Sequence, residues 1–279
     1  MQKHTYTSAI ALALVSLTSY STPAIAQSNV AINYLNLQVD FQQPRLPDNG
    51  APTGRRKGAA GRGNNCAFAP PLTALVPQSE SAQDGGKITY VWGKTIAERP
   101  TFWFYVPDFQ TSLISAEFVL QDGEDDVYRT PVILPKVPGI ASIRLPSTVM
   151  PLKVGKMYQW FLKVNINCAS PELSSVKDYV EGWVVRVTPN RNLVNQLKTA
   201  TPQQQIALYA ANGIWYEALT SLAELRSVDT SNALLQNNWT DLLHSVGLSD
   251  VASEPIVQCC TFDKAYSYEE RTIQRIRHD

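Results

Sequence analysis

Histidine is scarce in this chain of 279 residues, which has three, and two of them, His4 and His278, lie near the ends. His244 is thus the one histidine in the body of the chain, which excludes the two-histidine H-E-x-x-H zinc motif, and its position toward the polar side of a helix favours a surface histidine over a catalytic base. The G-x-S-x-G motif of serine hydrolases is also absent. Because the numbers of basic and acidic residues are equal, the net charge is zero, and there is no overall attraction to nucleic acid or anionic membranes.

Long apolar runs are missing as well: after the N-terminal leader, no stretch approaches the roughly 20 residues that a membrane-spanning helix needs. Residues 1–26 have the pattern of a secretory signal peptide, with Lys3 before the short apolar stretch Ser8–Leu17. The small-x-small sequence Ala24–Ala26 is typical of a signal peptidase site. We therefore expect an exported chain, periplasmic or extracellular, without a transmembrane segment after cleavage.

Cysteines are few, and all of them follow the leader, at Cys66, Cys168, Cys259 and Cys260. An oxidising compartment lets disulfides persist, so export favours structural bridges for these thiols. We predict a Cys66–Cys168 disulfide, with Cys259 and Cys260 either joined to each other or free. The adjacent pair is also a candidate redox site, and a zinc site is a weaker alternative because no C-x-x-C pair is present.

The mature chain divides into four regions by composition and periodicity. Residues 27–65 are basic and rich in Gly and Pro without apolar periodicity, which predicts a flexible, solvated segment. Residues 66–189 show the period-two alternation of β-strands. Residues 190–256 change to a helical period, and residues 257–279 contain the cysteine pair and a polar tail.

The β-region contains about seven short strands separated by turn signals. Thr101–Val106 is a continuous apolar and aromatic run bounded by prolines, which predicts a strand buried on both faces. Trp183, Val185 and Val187 alternate with Val184 in another strand. Strands of this number and length favour an antiparallel, immunoglobulin-like β-sandwich. The clearest alternation falls at Tyr158, Trp160, Leu162, Val164 and Ile166.

The helical region begins with a strong start signal, in which Thr201 precedes Pro202 and Gln204 completes a capping box. The following stretch, Gly213–Leu222, is similar to the turn and second helix of a tetratricopeptide repeat. About three such repeats are needed for an independent core. We therefore predict an α+β fold, in which a short tetratricopeptide-like hairpin docks on the sandwich or on a partner.

Two groups of residues are candidates for binding a partner protein. One is the aromatic face of the predicted hairpin, and the other is a basic triplet in the Gly/Pro-rich segment. The triplet could instead be a solvated part of a flexible segment, because its glycine spacing fits no phosphate-binding motif. The candidates are Trp215, Tyr216, Leu219, Arg55, Arg56 and Lys57.

Further residues permit other chemistries. Strand aromatics could stack on sugar rings, although core positions also need them. The acidic run Asp122–Asp126 contains Asp-Gly, so a hairpin turn is favoured over a calcium loop. Glu117, Asp178 and Glu181 could supply hydrolase carboxylates, but their spacing singles out no pair. We expect no catalytic, cofactor or metal site. The candidate sugar-stacking aromatics are Tyr90, Trp92, Trp103, Tyr105, Trp160 and Trp183.

Several motifs also come in a characteristic order, among them Gly61–Cys66, Pro100–Pro107, Gly182–Trp183 and Tyr209–Leu219. Through them, the chain resembles the secreted cyanobacterial proteins grouped as domain of unknown function 928. The resemblance covers the chain from about residue 50 to the cysteine pair. It implies export and a shared fold, but the family has no established activity, so no catalytic residue is carried over.

These observations favour an exported, non-enzymatic interaction module of the cell envelope, with an envelope protein as its partner and no cofactor. A glycan- or cell-wall-binding module is the alternative. The third possibility is an enzyme, either a carboxylate-dependent hydrolase or a redox protein that uses the cysteine pair.

Overall fold

The described part of the protein excludes the leader and all four cysteines. The predicted signal peptide, the Cys66–Cys168 bridge and the Cys259-Cys260 pair thus lie outside the described residues and stay predictions. The computed structural model describes residues 39–46, 52–59, 68–83, 86–109, 113–167 and 175–258.

Within the described ranges, nine strands form two sheets and four helices follow them, so the α+β composition is as predicted. β1, β4 and β7 form a three-stranded sheet, and the others form a six-stranded sheet in the order β2-β3-β9-β8-β5-β6. The strands are β1 Thr73–Ala74, β2 Gln78–Gln83, β3 Gly86–Thr95, β4 Thr101–Val106, β5 Leu113–Asp122, β6 Asp125–Pro131, β7 Gly139–Arg144, β8 Met157–Ile166 and β9 Val176–Arg186.

The larger sheet is mixed rather than wholly antiparallel as predicted, because β3 and β9 pair in parallel. No hairpin joins these two strands, and the chain between them passes through both sheets, which allows it to return in the same direction. Their register places Trp92 opposite Trp183.

Burial along the strands follows the predicted pattern in β8 and β4. In β8, every second residue from Tyr158 to Ile166 is buried, and β4 is buried at all six positions. Pro131 ends β6, the edge strand on which a missing N–H is tolerated. In β9, the core face instead carries Val180, Gly182 and Val184, while Trp183 lies on the other face.

One hydrophobic core is shared by the two sheets. The Phe102 ring of β4 lies 5.0 Å from the Phe118 ring of β5, measured between centroids. The Phe104 ring is 5.7 Å from Trp160 of β8 in an edge-on arrangement. We call the opposite side of the six-stranded sheet its outer face.

The first helix begins within the predicted helical region, before the start signal at Thr201. Thr201 and Gln204 form the predicted capping box, but a further helix precedes it, capped by Asn190 and burying Leu193. No helix in the described ranges is long and apolar enough to cross a membrane. The helices are α1 Arg191–Thr199, α2 Pro202–Ala211, α3 Trp215–Val228 and α4 Ala233–Ser245, followed by a 3₁₀ turn over Ser249–Val251.

The aromatic face of α3 docks on the sheets, so it is not free for a partner. Trp215, Tyr216 and Leu219 are each at most 3% exposed, which corrects their prediction as partner-binding residues. The Trp215 Nε1–H donates to the carbonyl of Leu75 at 2.9 Å. The Tyr216 hydroxyl accepts from the Trp160 indole at 3.0 Å. This face completes the shared core instead.

The segment predicted to be flexible is ordered at residues 52–59, which we call the wedge. It lies between β3 and β9, where these strands diverge. Arg55 and Glu181 exchange two backbone hydrogen bonds, and Val91 N–H donates to the carbonyl of Pro52 at 3.0 Å. A Cβ on Gly54 would lie 2.8 Å from the Glu181 carbonyl, so the approach requires glycine. Upstream, the N–H of Gln42 also donates to α2.

The basic triplet binds this protein itself, which corrects its prediction as a partner-binding surface. Arg55 pairs with Asp178 at 3.1 Å, and Lys57 pairs with Asp250. The Arg56 side chain is buried and donates to the carbonyls of Val246 and Gly247 at 2.6 and 2.9 Å. The triplet therefore ties the wedge to β9 and to the end of α4.

The acidic run forms the predicted hairpin turn between β5 and β6. Asp122 pairs with Asp125 across the turn, and Gly123 has a φ of 64°, a left-handed conformation that favours glycine. Within the described ranges, no cluster of His, Cys, Asp and Glu has the arrangement of a metal site.

Candidate functional site

A groove of about 590 Å³ opens on the outer face of the six-stranded sheet, across β5, β8 and β9. It lies where β8 ends and β9 begins. Its volume is within the usual range for small-ligand sites, about 300–1,000 Å³. We call it the outer groove, and its polar and aromatic walls are Ser115, Glu117, Lys163, Asn165, Lys177 and Tyr179.

Strand register brings these side chains together. Lys163 of β8 is paired with Glu117 on β5 and with Tyr179 on β9. Asn165, two residues further along β8, is paired with Lys177. Because side chains alternate between the two faces of a strand, residues two apart on β8 and their partners share the outer face.

The acidic groups at the groove are already neutralised. Glu117 accepts from Arg129 at 2.7 Å, and its other cationic neighbour, Lys163, lies at 3.9 Å. Asp178 accepts from Arg55 and from the backbone N–H groups of Ala59 and Tyr179, both at 2.9 Å. The groove therefore has no unpaired carboxylate.

Two groups in the outer groove have hydrogen-bonding capacity left over. The Oδ1 atom of Asn165 is buried and has no hydrogen-bond partner among the residues that the structure describes. An unsatisfied buried acceptor costs about 1–3 kcal/mol. Lys177 is exposed, and its ammonium makes no ion pair with any described residue. Lys177 therefore offers a donor at the groove, and Asn165 lies opposite it in the strand register.

Tyr179 supplies an exposed aromatic ring with a fixed position. The Arg55 guanidinium carbon lies 3.7 Å from the centre of the ring, and Arg55 also donates through two nitrogens to the backbone carbonyl of Tyr179. Tyr179 is 36% exposed. The wedge therefore holds in place a ring that a ligand can contact.

The aromatics that the sequence proposed for sugar stacking are mostly unavailable. Five of the six, all except Trp183, are less than 9% exposed because the strands direct them into the two hydrophobic clusters. Trp183 is partly exposed on the outer face and packs beside Trp92. Sequence reasoning missed Asn165, Lys177 and Tyr179. The sequence signal that indicates this face is the period-two series Lys177, Tyr179, Glu181 and Trp183.

The three candidate hydrolase carboxylates do not form a catalytic pair. Asp178 is buried on the core side of β9. Glu117 and Glu181 share the outer face, but they lie two strands and two residues apart, which separates their Cα atoms by about 12 Å. Burial raises the pKa of Glu181, although Arg55 opposes this shift. His244 is exposed on α4, as expected for a surface histidine.

Comparison with known proteins identifies a family but no individual relative. No curated protein and no solved structure matches the chain. The model of one protein family, described as a Domain of Unknown Function (DUF928), matches residues 57–256. This match includes every strand and helix, and it covers well over half of the chain. The chain therefore belongs to the DUF928 family.

Proposed function

We propose that this protein is an exported, non-enzymatic binding module of the cell envelope and that it recognises a glycan through the outer groove. One observation carries the proposal. Among the described residues, the groove combines a buried acceptor without a partner, a cation without a counter-charge and an exposed aromatic ring.

The chemistry of these groups favours hydroxyl-rich ligands. A sugar hydroxyl is both donor and acceptor, so it can donate to the amide oxygen of Asn165 and accept from the ammonium of Lys177. The ring of Tyr179 offers an apolar surface for the C–H groups of a sugar ring. Polar groups that fix the orientation of a ligand beside an aromatic wall are typical of binding sites.

Export and the finer architecture belong to the same proposal. The leader over residues 1–26 supports export, and the Cys66–Cys168 bridge would then form in an oxidising compartment. An immunoglobulin-like sandwich is supported by the core that the two sheets share. A tetratricopeptide-like hairpin of α2 and α3 is supported by their mutual packing and by the turn at Gly213.

A protein-interaction role is the second candidate, and it needs a surface other than the one predicted. A cleft of about 690 Å³ lies beside β7 and α3 and includes Trp103, Ile256 and Val257. Val228, at the end of α3, is 87% exposed. An envelope protein could bury this apolar surface. Cross-linking in native envelopes, with Val228→Asp as the disrupting variant, tests this role.

The glycan proposal is tested with the mature chain on a glycan array, followed by titrations monitored by tryptophan fluorescence. Lys177→Ala is expected to weaken binding by about tenfold, since it removes one charged hydrogen bond. Lys198→Ala is the matched control, because Lys198 is exposed on α1, away from the sheet. If the unmodified protein binds no envelope glycan, the proposal is wrong.

A further inference from the structure

The outer face continues beyond the groove along β8 and β9. Three cross-strand pairs follow one another there, which we call the β8–β9 ladder. The first pair also forms the wall of the outer groove, so the two features are continuous. The pairs are Lys163 with Tyr179, Phe161 with Glu181, and Gln159 with Trp183.

Every pair in the ladder joins one aromatic side chain to one polar side chain, and the aromatic member changes strand at each step. The rings of Phe161 and Tyr179 are 6.5 Å apart between centroids. The Lys163 ammonium lies 4.9 Å from the centre of the Phe161 ring. The Gln159 amide donates to Glu181 at 3.1 Å. Rings and hydrogen-bonding groups therefore alternate along the whole face.

Trp183, at the far end of the ladder, is held in a defined position. Its indole N–H donates to the carbonyl of Thr53 in the wedge at 2.9 Å. The ring belongs to a small apolar cluster with Tyr90 and Trp92, and it remains partly exposed. From Lys177 to Trp183 the strand extends six residues, or about 20 Å. This distance exceeds the length of a single sugar ring.

The position of the ladder in the sheet argues against an extended peptide. β8 lies between β5 and β9. On its other side, β9 pairs with β3 from Trp183 onward, and Arg55 of the wedge binds the backbone of Glu181 and the carbonyl of Tyr179. Along the ladder, a peptide therefore has no strand edge to which it can add through backbone hydrogen bonds. Recognition on this face must use side chains alone.

We infer that the outer groove and the β8–β9 ladder form one extended site for a linear polysaccharide. One end of the polysaccharide would contact the polar residues Lys177 and Asn165. Its further sugar rings would stack on Tyr179, Phe161 and Trp183. This inference rests on the proposed glycan-binding function and adds the class of ligand and the length of its site.

Titration calorimetry with a disaccharide, a tetrasaccharide and a hexasaccharide of one neutral β-linked glucan tests the inference. Affinity is expected to rise by about tenfold or more from the shortest to the longest ligand, as additional rings reach the ladder. Trp183→Ala should remove most of that increase. Lys177→Ala should weaken binding at every length.

Trp183→Phe is the matched variant, because it keeps a smaller aromatic ring and loses the bond to Thr53. It should retain more of the increase with length than Trp183→Ala, and thermal unfolding of both variants checks that the sheet is intact. An equal affinity for all lengths overturns the inference. Absence of binding by any glycan instead overturns the proposed function itself.

Discussion

The buried guanidinium of Arg56 joins the wedge to the helical region, and its replacement by alanine should destabilise the whole fold. Its two short hydrogen bonds go to the carbonyls of Val246 and Gly247, just after α4. These carbonyls would lose their charged donor, at the helix end where a cation is favoured by the helix dipole.

The expected loss follows from the contacts. Hydrogen bonds to a charged group contribute about 1.5–3 kcal/mol each. Part of this gain is offset by the burial of the guanidinium, which lowers the pKa of Arg56. Its Nε atom is also buried without a partner. We therefore expect Arg56→Ala to reduce the free energy of unfolding by about 2–4 kcal/mol.

Urea unfolding of the mature chain measures this loss as a lower midpoint at an unchanged slope. The neighbouring Lys57→Ala is the matched control, since it breaks a half-exposed ion pair with Asp250, a type of pair that contributes about 0–1 kcal/mol. If the wedge were flexible, both variants would lower the free energy of unfolding by a similarly small amount. If Arg56→Ala costs no more than Lys57→Ala, the structural role of Arg56 is refuted.

Three further predictions concern a buried acid, a glycine and the unobserved disulfide. Burial raises the pKa of Glu217, so the folded state holds its proton more tightly than the unfolded chain, and stability should fall as the pH rises from about 4.3 through that raised value. In Glu217→Gln, the urea midpoint should depend less on pH over this range. If its pH dependence is the same as in the wild type, Glu217 is not the group responsible. Gly182→Ala should lower the unfolding temperature at a cost of about 1–3 kcal/mol, because the new Cβ would lie 2.5 Å from the ring of Trp160, and wild-type stability would show that the sheet adapts. Reduction of the Cys66–Cys168 bridge should lower stability by up to about 4–5 kcal/mol, whereas mass spectrometry that finds both thiols free in the unreduced exported protein would remove the bridge.

Elements with a local signal were predictable from the sequence. The buried face of β8 follows from the alternation that begins at Tyr158, because a strand directs every second side chain to one side. The start of α2 follows from Thr201 and Gln204, which satisfy each other's backbone groups within one turn. In both cases, the residues that decide the structure are neighbours in sequence.

The wedge was not predictable in this way, because its stabilising contacts are distant in sequence. Arg55 binds the carbonyl of Tyr179, 124 positions away, and Arg56 binds that of Val246, 190 positions away. A Gly-rich, basic composition alone is typical of a solvated linker. The parallel pairing of β3 with β9 was missed for a similar reason, since strand alternation carries no information on the direction of a distant partner.

The candidate site was missed because its residues are ordinary polar side chains. The large aromatic residues led to the sugar-binding hypothesis, but Trp160 and most of the others are buried because they pack in the core. Asn165 and Lys177 became informative once the structure showed which donors and acceptors were already paired. Pairing of this kind depends on the register between strands, which the sequence does not state.

The contrast between Arg56 and Lys177 shows why the groove, rather than the basic triplet, is the better site. A ligand at Arg56 would have to replace short hydrogen bonds that the protein already makes, so little net binding energy would remain. A ligand at Lys177 meets an exposed ammonium that makes no ion pair with any described residue, on a strand position opposite Asn165. Arg56→Ala should therefore shift unfolding more than glycan affinity, and Lys177→Ala should do the reverse. If Lys177→Ala destabilises the fold as strongly as Arg56→Ala does, Lys177 is a structural residue and the groove loses its principal donor.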